Sequence, residues 1–184
     1  MKALSLFLER IAHWKVLLLV LAVYVSFPAY FLKDAETKIN TLAGKTLGPI
    51  DLTVAFTPER TLQMVEEYGD AARAYYATVE TTIDVIYPIT YAFLFGIILT
   101  MIYRKKRYKP FAYVNLLPFL ALIFDYLENT MIVTLLRNYP EQSMTVATFC
   151  DLFKSLKWGT FGVIIVLIVY GLLRLLPKAK KVSS

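Results

Sequence analysis

Carboxyl, amine and phenol groups lie inside three long apolar stretches of this chain, at spacings that place them on shared helix faces. Asp125, Glu128 and Asn129 stand at positions i, i+3 and i+4, so one face of a helix carries all three. A charge in the core of a bilayer is costly, and such residues usually pair with one another or serve a function. Their chemistry includes proton or cation binding, acid–base catalysis and ion pairing between helices.

Two further polar stripes have helical spacing. One begins at Glu80 on the second apolar stretch, and the other passes through Lys154 on the fourth, with Lys157 beside it. At a rise of about 1.5 Å per residue, all these groups fall into one layer in the outer third of the membrane. We therefore expect the stripes to face one another as a single cluster. The cluster comprises Asp84, Tyr87, Tyr91, Asp125, Glu128, Asn129, Asp151, Lys154, Lys157 and Trp158.

Three interpretations of this cluster are open. It could be a network of ion pairs and hydrogen bonds that holds the helices together. It could be a pocket, because its excess of acids suits a proton or a cation and its lysines suit an anionic lipid headgroup. It could also be catalytic, with Asp125 or Glu128 as general acid or base. No activated nucleophile or phosphate-binding loop accompanies these acids, so we assign no catalytic residue.

The counts of cysteine and histidine limit the cofactor chemistry. Cys150 and His13 are single residues of their types. Zinc and di-iron sites usually need several such ligands, and one cysteine cannot form an internal disulfide. We therefore expect no metal site and no cofactor. Enzymatic activity is left open, and a non-enzymatic role is favoured.

The composition is that of a membrane protein. Hydrophobic residues make up 58% of the 184 residues and charged residues 18%, whereas soluble domains average about 45–50% and about 25%. Four apolar stretches reach the roughly 20 residues that a transmembrane helix needs. The predicted fold is all-α: a single membrane domain over residues 1–184, with a four-transmembrane-helix bundle and a small extracytoplasmic cap between spans one and two. The predicted spans are 14–32, 83–103, 110–136 and 148–173, and the cap segment is 33–82.

Basic residues predict the orientation of the spans. They dominate the N-terminal flank, the loop between spans two and three, and the C-terminal tail, whereas acids outnumber them in the cap segment. By the positive-inside rule, both termini are cytoplasmic. Clusters of basic residues beside a membrane also bind anionic lipids of the inner leaflet. The residues expected to do so are Arg104, Lys105, Lys106, Arg107, Lys178, Lys180 and Lys181.

Local signals predict the structure of the cap segment. Residues 35–45 are polar and are expected to form a loop, and residues 50–56 are β-leaning and are expected to form a strand. The Thr-Pro pair at 57–58 predicts the start of a helix, with Thr57 as its N-cap. From Ala71 onward nothing interrupts the helix, so it is expected to continue unbroken into span two.

Three motifs carry a resemblance. YGDAARAYY with DVIYPITYAF, then FDYLENTMI, then FKSLKW resemble a set of small bacterial four-span membrane proteins for which no activity is known. The resemblance implies a bacterial inner membrane and no particular reaction. The positions that match the motifs of this set are Asp84, Tyr87, Pro88, Tyr91, Asp125, Glu128, Asn129, Lys157 and Trp158.

These observations leave three functional hypotheses, of which the first is favoured. The protein could be a structural or accessory subunit, stabilised by the intramembrane charged network and held to a protein partner or to a second copy. It could bind or transport a small solute, a proton or a lipid through the cluster. It could be a membrane enzyme acting on a lipid-soluble substrate. The position of the basic residues beside apolar stretches argues against nucleic acid as a partner.

Overall fold

The structure is a computed structural model that describes residues 1–53, 57–103 and 113–175, and its described part is helical. The candidate lipid-binding residues at 104–107 and 178–181, and the first residues of predicted span three, lie outside the described ranges. The α-helices are α1 (Lys2–Ile11), α2 (Trp14–Ser26), α3 (Leu32–Ala43), α4 (Pro58–Glu67), α5 (Gly69–Glu80), α6 (Ile83–Tyr103), α7 (Leu117–Arg137) and α8 (Met144–Leu175).

Four helical stretches are long and apolar enough to cross a membrane. This confirms the prediction of an all-helical protein with four such helices. The two longest of them have 35 and 32 residues and would reach about 50 Å at 1.5 Å per residue, well beyond a hydrocarbon core of about 30 Å. Each of these two stretches is therefore longer than the apolar layer alone requires. The four stretches are Trp14–Ala43, Gly69–Tyr103, Val114–Arg137 and Met144–Leu175.

The first of these stretches continues where a loop was predicted. A π-helical turn at Phe27–Phe31 joins α2 to α3, which runs to Ala43. The prediction of a loop at 35–45 is therefore wrong for residues 35–43. Although the segment is polar, its apolar Ala35 and Ile39 are one turn apart, and both are buried. Gly44 ends the helix with a φ of +70°, the left-handed conformation that glycine tolerates best.

The rest of the described cap segment consists of one 3-10 turn and two α-helices, with non-helical residues between them. Ile50–Leu52 is a 3-10 turn and not the predicted strand, and residues 54–56 lie outside the described ranges. The predicted helix start is confirmed, because Thr57 Oγ1 accepts a hydrogen bond from the Arg60 N–H and Pro58 is the first helical residue. An N-cap depends on residues that are close together in the sequence, so the sequence alone predicts it.

The predicted continuous helix from Ala71 into span two is interrupted between α5 and α6. Thr81 Oγ1 donates to the Ala77 carbonyl at 2.8 Å, and Thr82 Oγ1 donates to the Thr78 carbonyl at 2.6 Å. In the backbone, the Thr81 N–H still donates to the Ala77 carbonyl, whereas the Thr82 N–H donates to the Val79 carbonyl, three residues back. Glu80 ends α5 immediately before the break.

A hydrophobic core joins the cap segment to one end of the bundle. It packs α3, α4 and α5 against the C-terminal part of α7 and the N-terminal part of α8. Tyr76 lies within this core, where its hydroxyl accepts from the Ile50 N–H and donates to Asp51 Oδ1. We call this end of the molecule the cap end. Both α6 and α8 start at the cap end, so the two helices run in the same direction.

At the opposite end, close helix contacts hold α6 against its neighbours. Ser5 of α1 donates to Asn115 Oδ1, and Asn115 Nδ2 donates to Thr100 Oγ1. Tyr103 Oη donates to the Leu167 carbonyl of α8 at 2.7 Å. A Cβ at Gly171 would collide with Ile102, so α8 approaches α6 here closely enough to require glycine.

Candidate functional site

Lys157 joins α7 to α8 through two ion pairs. Its Nζ lies 2.6 Å from Glu128 Oε2 and 3.8 Å from Asp125 Oδ1. All three side chains are almost fully buried, and Glu128 is 0% exposed. Ion pairs in such a setting have already lost their hydration, so each charge depends on its partner.

Hydrogen bonds extend this network to α6. Tyr91 Oη donates to Asp125 Oδ2 at 2.8 Å, and Asn129 Nδ2 donates to Asp84 Oδ2 at 2.7 Å. The network therefore links three of the four spanning helices. Of the ten predicted cluster residues it contains Asp84, Tyr91, Asp125, Glu128, Asn129 and Lys157.

Asp151 and Lys154 form a second group, which connects α8 to the cap segment. Lys154 Nζ lies 3.1 Å from Asp151 Oδ1 and donates to the Ile50 carbonyl at 3.2 Å. Thr61 of α4 donates to the same Asp151 oxygen at 3.1 Å. This group ties α8 to the cap segment, so in the structure the cluster predicted as one site has two parts.

Helix geometry explains why the two lysines separate. Lys154 and Lys157 are three residues apart, so they differ by about 60° around α8 and about 4.5 Å along it. Lys157 therefore meets α7, whereas Lys154 meets the cap segment. Spacing along one helix shows that two residues are neighbours, but it does not show which other helix each of them meets.

The two remaining predicted residues are aromatic and sit beside the network. The Tyr87 ring stacks on Tyr24 of α2 with centroids 5.6 Å apart and meets Tyr91 edge-on at 5.7 Å. Trp158 is 45% exposed, and its ring lies 5.9 Å from that of Phe161. These rings form a wall between α2, α6 and α8.

A cavity of about 630 Å³ opens beside this wall. We call it the main cavity. It lies between the α2–α3 stretch, the α5–α6 stretch and α8, and it also reaches the 3-10 turn of the cap segment. Its volume is within the range of small-molecule sites, which is about 300–1,000 Å³. The predicted residues that line it are Asp84, Tyr87, Tyr91, Asp125, Lys157 and Trp158.

Other lining residues were missed as site residues from the sequence. Asp51, Glu36, Lys33 and Tyr24 all line the main cavity. Asp51 carried a weak signal, because it is a single acid inside the apolar run 50–56. The others had none, since only the packing of the α2–α3 stretch brings them to the cavity. Glu80, recognised as part of a stripe but not assigned to the cluster, also lines it.

The charges that line the main cavity do not balance. Lys157 is engaged by Asp125 and Glu128, which leaves the exposed Lys33 as the other lysine in the lining. Within the described ranges, Asp51, Glu80 and Asp84 have no basic side chain within 4.0 Å. The walls therefore carry an excess of acidic groups.

A second, smaller cavity of about 460 Å³ lies between α5, α6 and α7. Its walls include Asn129 and Tyr126, whose hydroxyl donates to the Val85 carbonyl at 2.7 Å. Glu80 lines both cavities, so its side chain stands in the partition between them.

Among the described residues, no group of three or more His, Cys, Asp or Glu side chains is placed to hold a metal ion. Comparison of the chain with protein-family models, with curated proteins and with solved structures found no match. The resemblance to small bacterial membrane proteins stays a prediction, and function is inferred from the geometry of the main cavity.

Proposed function

We propose that this protein binds a small amphipathic, lipid-soluble molecule in the main cavity. The observation that carries the proposal is the gradient of polarity along its walls. Along the α5–α6 stretch the lining runs from Glu80 and Asp84 at the cap end, through two tyrosines, to Phe95. The lining of α8 runs in the same direction from Lys157 to Ile165. A molecule with a polar head and an apolar body matches this gradient.

The exposed apolar residues of α8 support access from the bilayer. Trp158 and Ile165 line the main cavity, and they are 45% and 49% exposed. Val166 and Val169, on the same helix, are also largely exposed, as expected for a surface in contact with lipid. A lipid-soluble ligand would then reach the cavity between the α2–α3 stretch and α8 without crossing water.

The ion pairs of Lys157 have a supporting part in this proposal, since they hold α7 to α8 at the cavity wall, which Lys157 and Asp125 line. The same clamp favours a second candidate function, that of a structural or accessory subunit of a larger assembly. Such a subunit would need the clamp but not the cavity. We propose no chemical reaction at either group of charged residues.

Tryptophan fluorescence tests the binding proposal. The chain has two tryptophans, so a Trp14→Phe variant leaves Trp158, in the wall of the main cavity, as the single reporter. Bromoundecanol, whose bromine quenches tryptophan on contact, would be titrated into this variant in a non-ionic detergent. We expect saturable quenching. The control reporter is Val163→Trp in a Trp14→Phe, Trp158→Phe background, because Val163 is 51% exposed and does not line the cavity.

Quenching at Val163→Trp should rise in proportion to the probe in the micelle, without saturation. Indistinguishable curves for the two reporters would reject the cavity as a binding site and favour the accessory subunit. That alternative would then be tested by the purification of a defined partner with the full chain.

We also propose that both termini are cytoplasmic and that the cap segment is extracytoplasmic, in a bacterial inner membrane. The distribution of basic residues supports this orientation. A Cys150→Ala background would carry a single new cysteine, either Glu66→Cys in the cap segment or Ser183→Cys in the tail. A membrane-impermeant maleimide should label only the first of these in intact spheroplasts. Labelling of the tail alone would show that the topology is the opposite of the one proposed.

A further inference from the structure

The carboxylate of Glu80 is buried without a matching partner. Its side chain is 3% exposed and lines the main cavity. Oε2 has no hydrogen-bond partner among the described atoms. Buried carboxylate oxygens are nearly always hydrogen-bonded, because the desolvation of an unpaired one is costly. Such an oxygen in a cavity wall is a candidate contact for a bound hydrogen-bond donor.

A second acid stands one helical turn away. Asp84 lies four residues after Glu80, is also buried, and lines the same cavity. Its described hydrogen bond comes from Asn129, a neutral amide. Lys157, the buried cation of the network, is engaged by two other carboxylates. Glu80 and Asp84 therefore have no positively charged ion-pair partner among the described residues, and a bound cation would supply one.

The surroundings of this pair suit an organic cation rather than a metal ion. The described residues hold no compact set of three acidic or other ligating side chains. The rings of Tyr87 and Tyr91 follow Asp84 along the cavity wall, and aromatic faces attract ammonium groups. Glu80 also lines the second cavity, but of these two cavities Asp84 and these tyrosines line the main one.

We infer that the ligand is an amphipathic amine, with its ammonium group held by Glu80 and Asp84 and its apolar body along Trp158 and Phe161. This inference rests on the proposed function and adds the class of ligand to it. The ammonium group would donate hydrogen bonds to the two carboxylates, and charged hydrogen bonds of this kind are stronger than neutral ones.

Three probes of equal chain length test the headgroup. Bromoundecylamine, bromoundecanol and bromoundecanoate would be titrated at neutral pH against the Trp14→Phe protein, with Trp158 as reporter. We expect half-saturation by the amine at a concentration about tenfold lower than by the alcohol, as for a hydrogen bond to a charged group. The Val163→Trp reporter corrects for different partition of the probes into micelles.

Variants test the assigned residues. Glu80→Gln with Asp84→Asn should remove the preference for the amine over the alcohol. Glu141→Gln, which changes an exposed acid away from both cavities, should keep the preference. If the double variant does not fold, Glu80→Gln alone should reduce the preference, and the comparison of probes on the parent protein stands by itself.

The outcomes separate the two proposals. Saturable binding of amine and alcohol with equal affinity overturns the inference and retains the binding proposal. Preference for the carboxylate probe also overturns it, and would point to Lys33 or Lys157 as the headgroup contact. No saturable quenching by any probe overturns both proposals.

Discussion

Lys157 of α8 lies 2.6 Å from Glu128 of α7, at less than the 3.8 Å that separates it from Asp125. The sequence placed all three residues in one layer, but the closer pairing is a property of the packed helices. The three charges share one buried environment, so the removal of any of them leaves the others uncompensated.

We predict that Lys157→Met lowers the free energy of unfolding by about 3–5 kcal/mol, because it leaves two carboxylates buried without a cation. Adding Glu128→Gln should recover more of this loss than adding Asp125→Asn, since Glu128 is the nearer partner. Double-mutant cycles, measured by equilibrium unfolding in mixed micelles, give the two coupling energies. Equal couplings would show that the lysine does not prefer Glu128.

Tyr91 is predicted to stabilise the protein through its hydroxyl group. Tyr91→Phe removes the 2.8 Å hydrogen bond to Asp125 and keeps the ring, so it should cost about 1.5–3 kcal/mol, the range for hydrogen bonds to charged groups. Tyr30→Phe is the matched control, because that side chain is 72% exposed. Equal unfolding free energies for the two variants would show that the Tyr91 hydroxyl does not stabilise the protein.

Gly171 is predicted to be required for the contact between α6 and α8. A Cβ there would overlap Ile102 and lie 3.1 Å from Tyr103 Oη, so Gly171→Ala should cost about 1–3 kcal/mol. Gly159→Ala and Gly162→Ala on the same helix meet open space. These two should be neutral, or stabilising by up to about 1 kcal/mol through helix propensity. Thermal unfolding in detergent compares the three variants, and a neutral Gly171→Ala would contradict the close approach.

A surface ion pair in the cap segment should make stability depend on pH. The hydrogen bond from Lys45 is the main factor that lowers the pKa of the Glu67 carboxyl, and Arg60 contributes as well. A carboxyl with a lowered pKa stabilises the fold above its ordinary pKa, and this contribution is lost as the pH falls through the lowered value.

Lys45→Met should therefore destabilise the protein slightly at neutral pH, by at most about 1 kcal/mol, the range for exposed ion pairs. The difference from the parent protein should shrink as the pH falls below the ordinary carboxyl range of about 4. Melting temperatures of both proteins across this pH range would measure it. A difference that grows on acidification would contradict the sign.

The sequence by itself determined the four apolar helices, the start of α4 at Pro58 and the polar stripes on individual helices. These features depend on residues close together in the chain: hydropathy over about 20 positions, a cap over three, a face over three or four. The same local rules failed at 35–43, where polar composition indicated a loop, and at 50–52, where a β-leaning composition indicated a strand. There the packing of Ala35, Ile39 and Ile50 into the core at the cap end outweighed local preference.

Only the tertiary structure decided which polar helix faces contact one another. It paired Lys157 with Glu128, turned Lys154 towards the cap segment, and brought Tyr24 and Asp51 to the cavity wall. Each of these contacts joins segments far apart in the chain. Such contacts depend on how the helices rotate about their axes and pack, and the spacing of residues within one helix carries no information about the rotation of its neighbour.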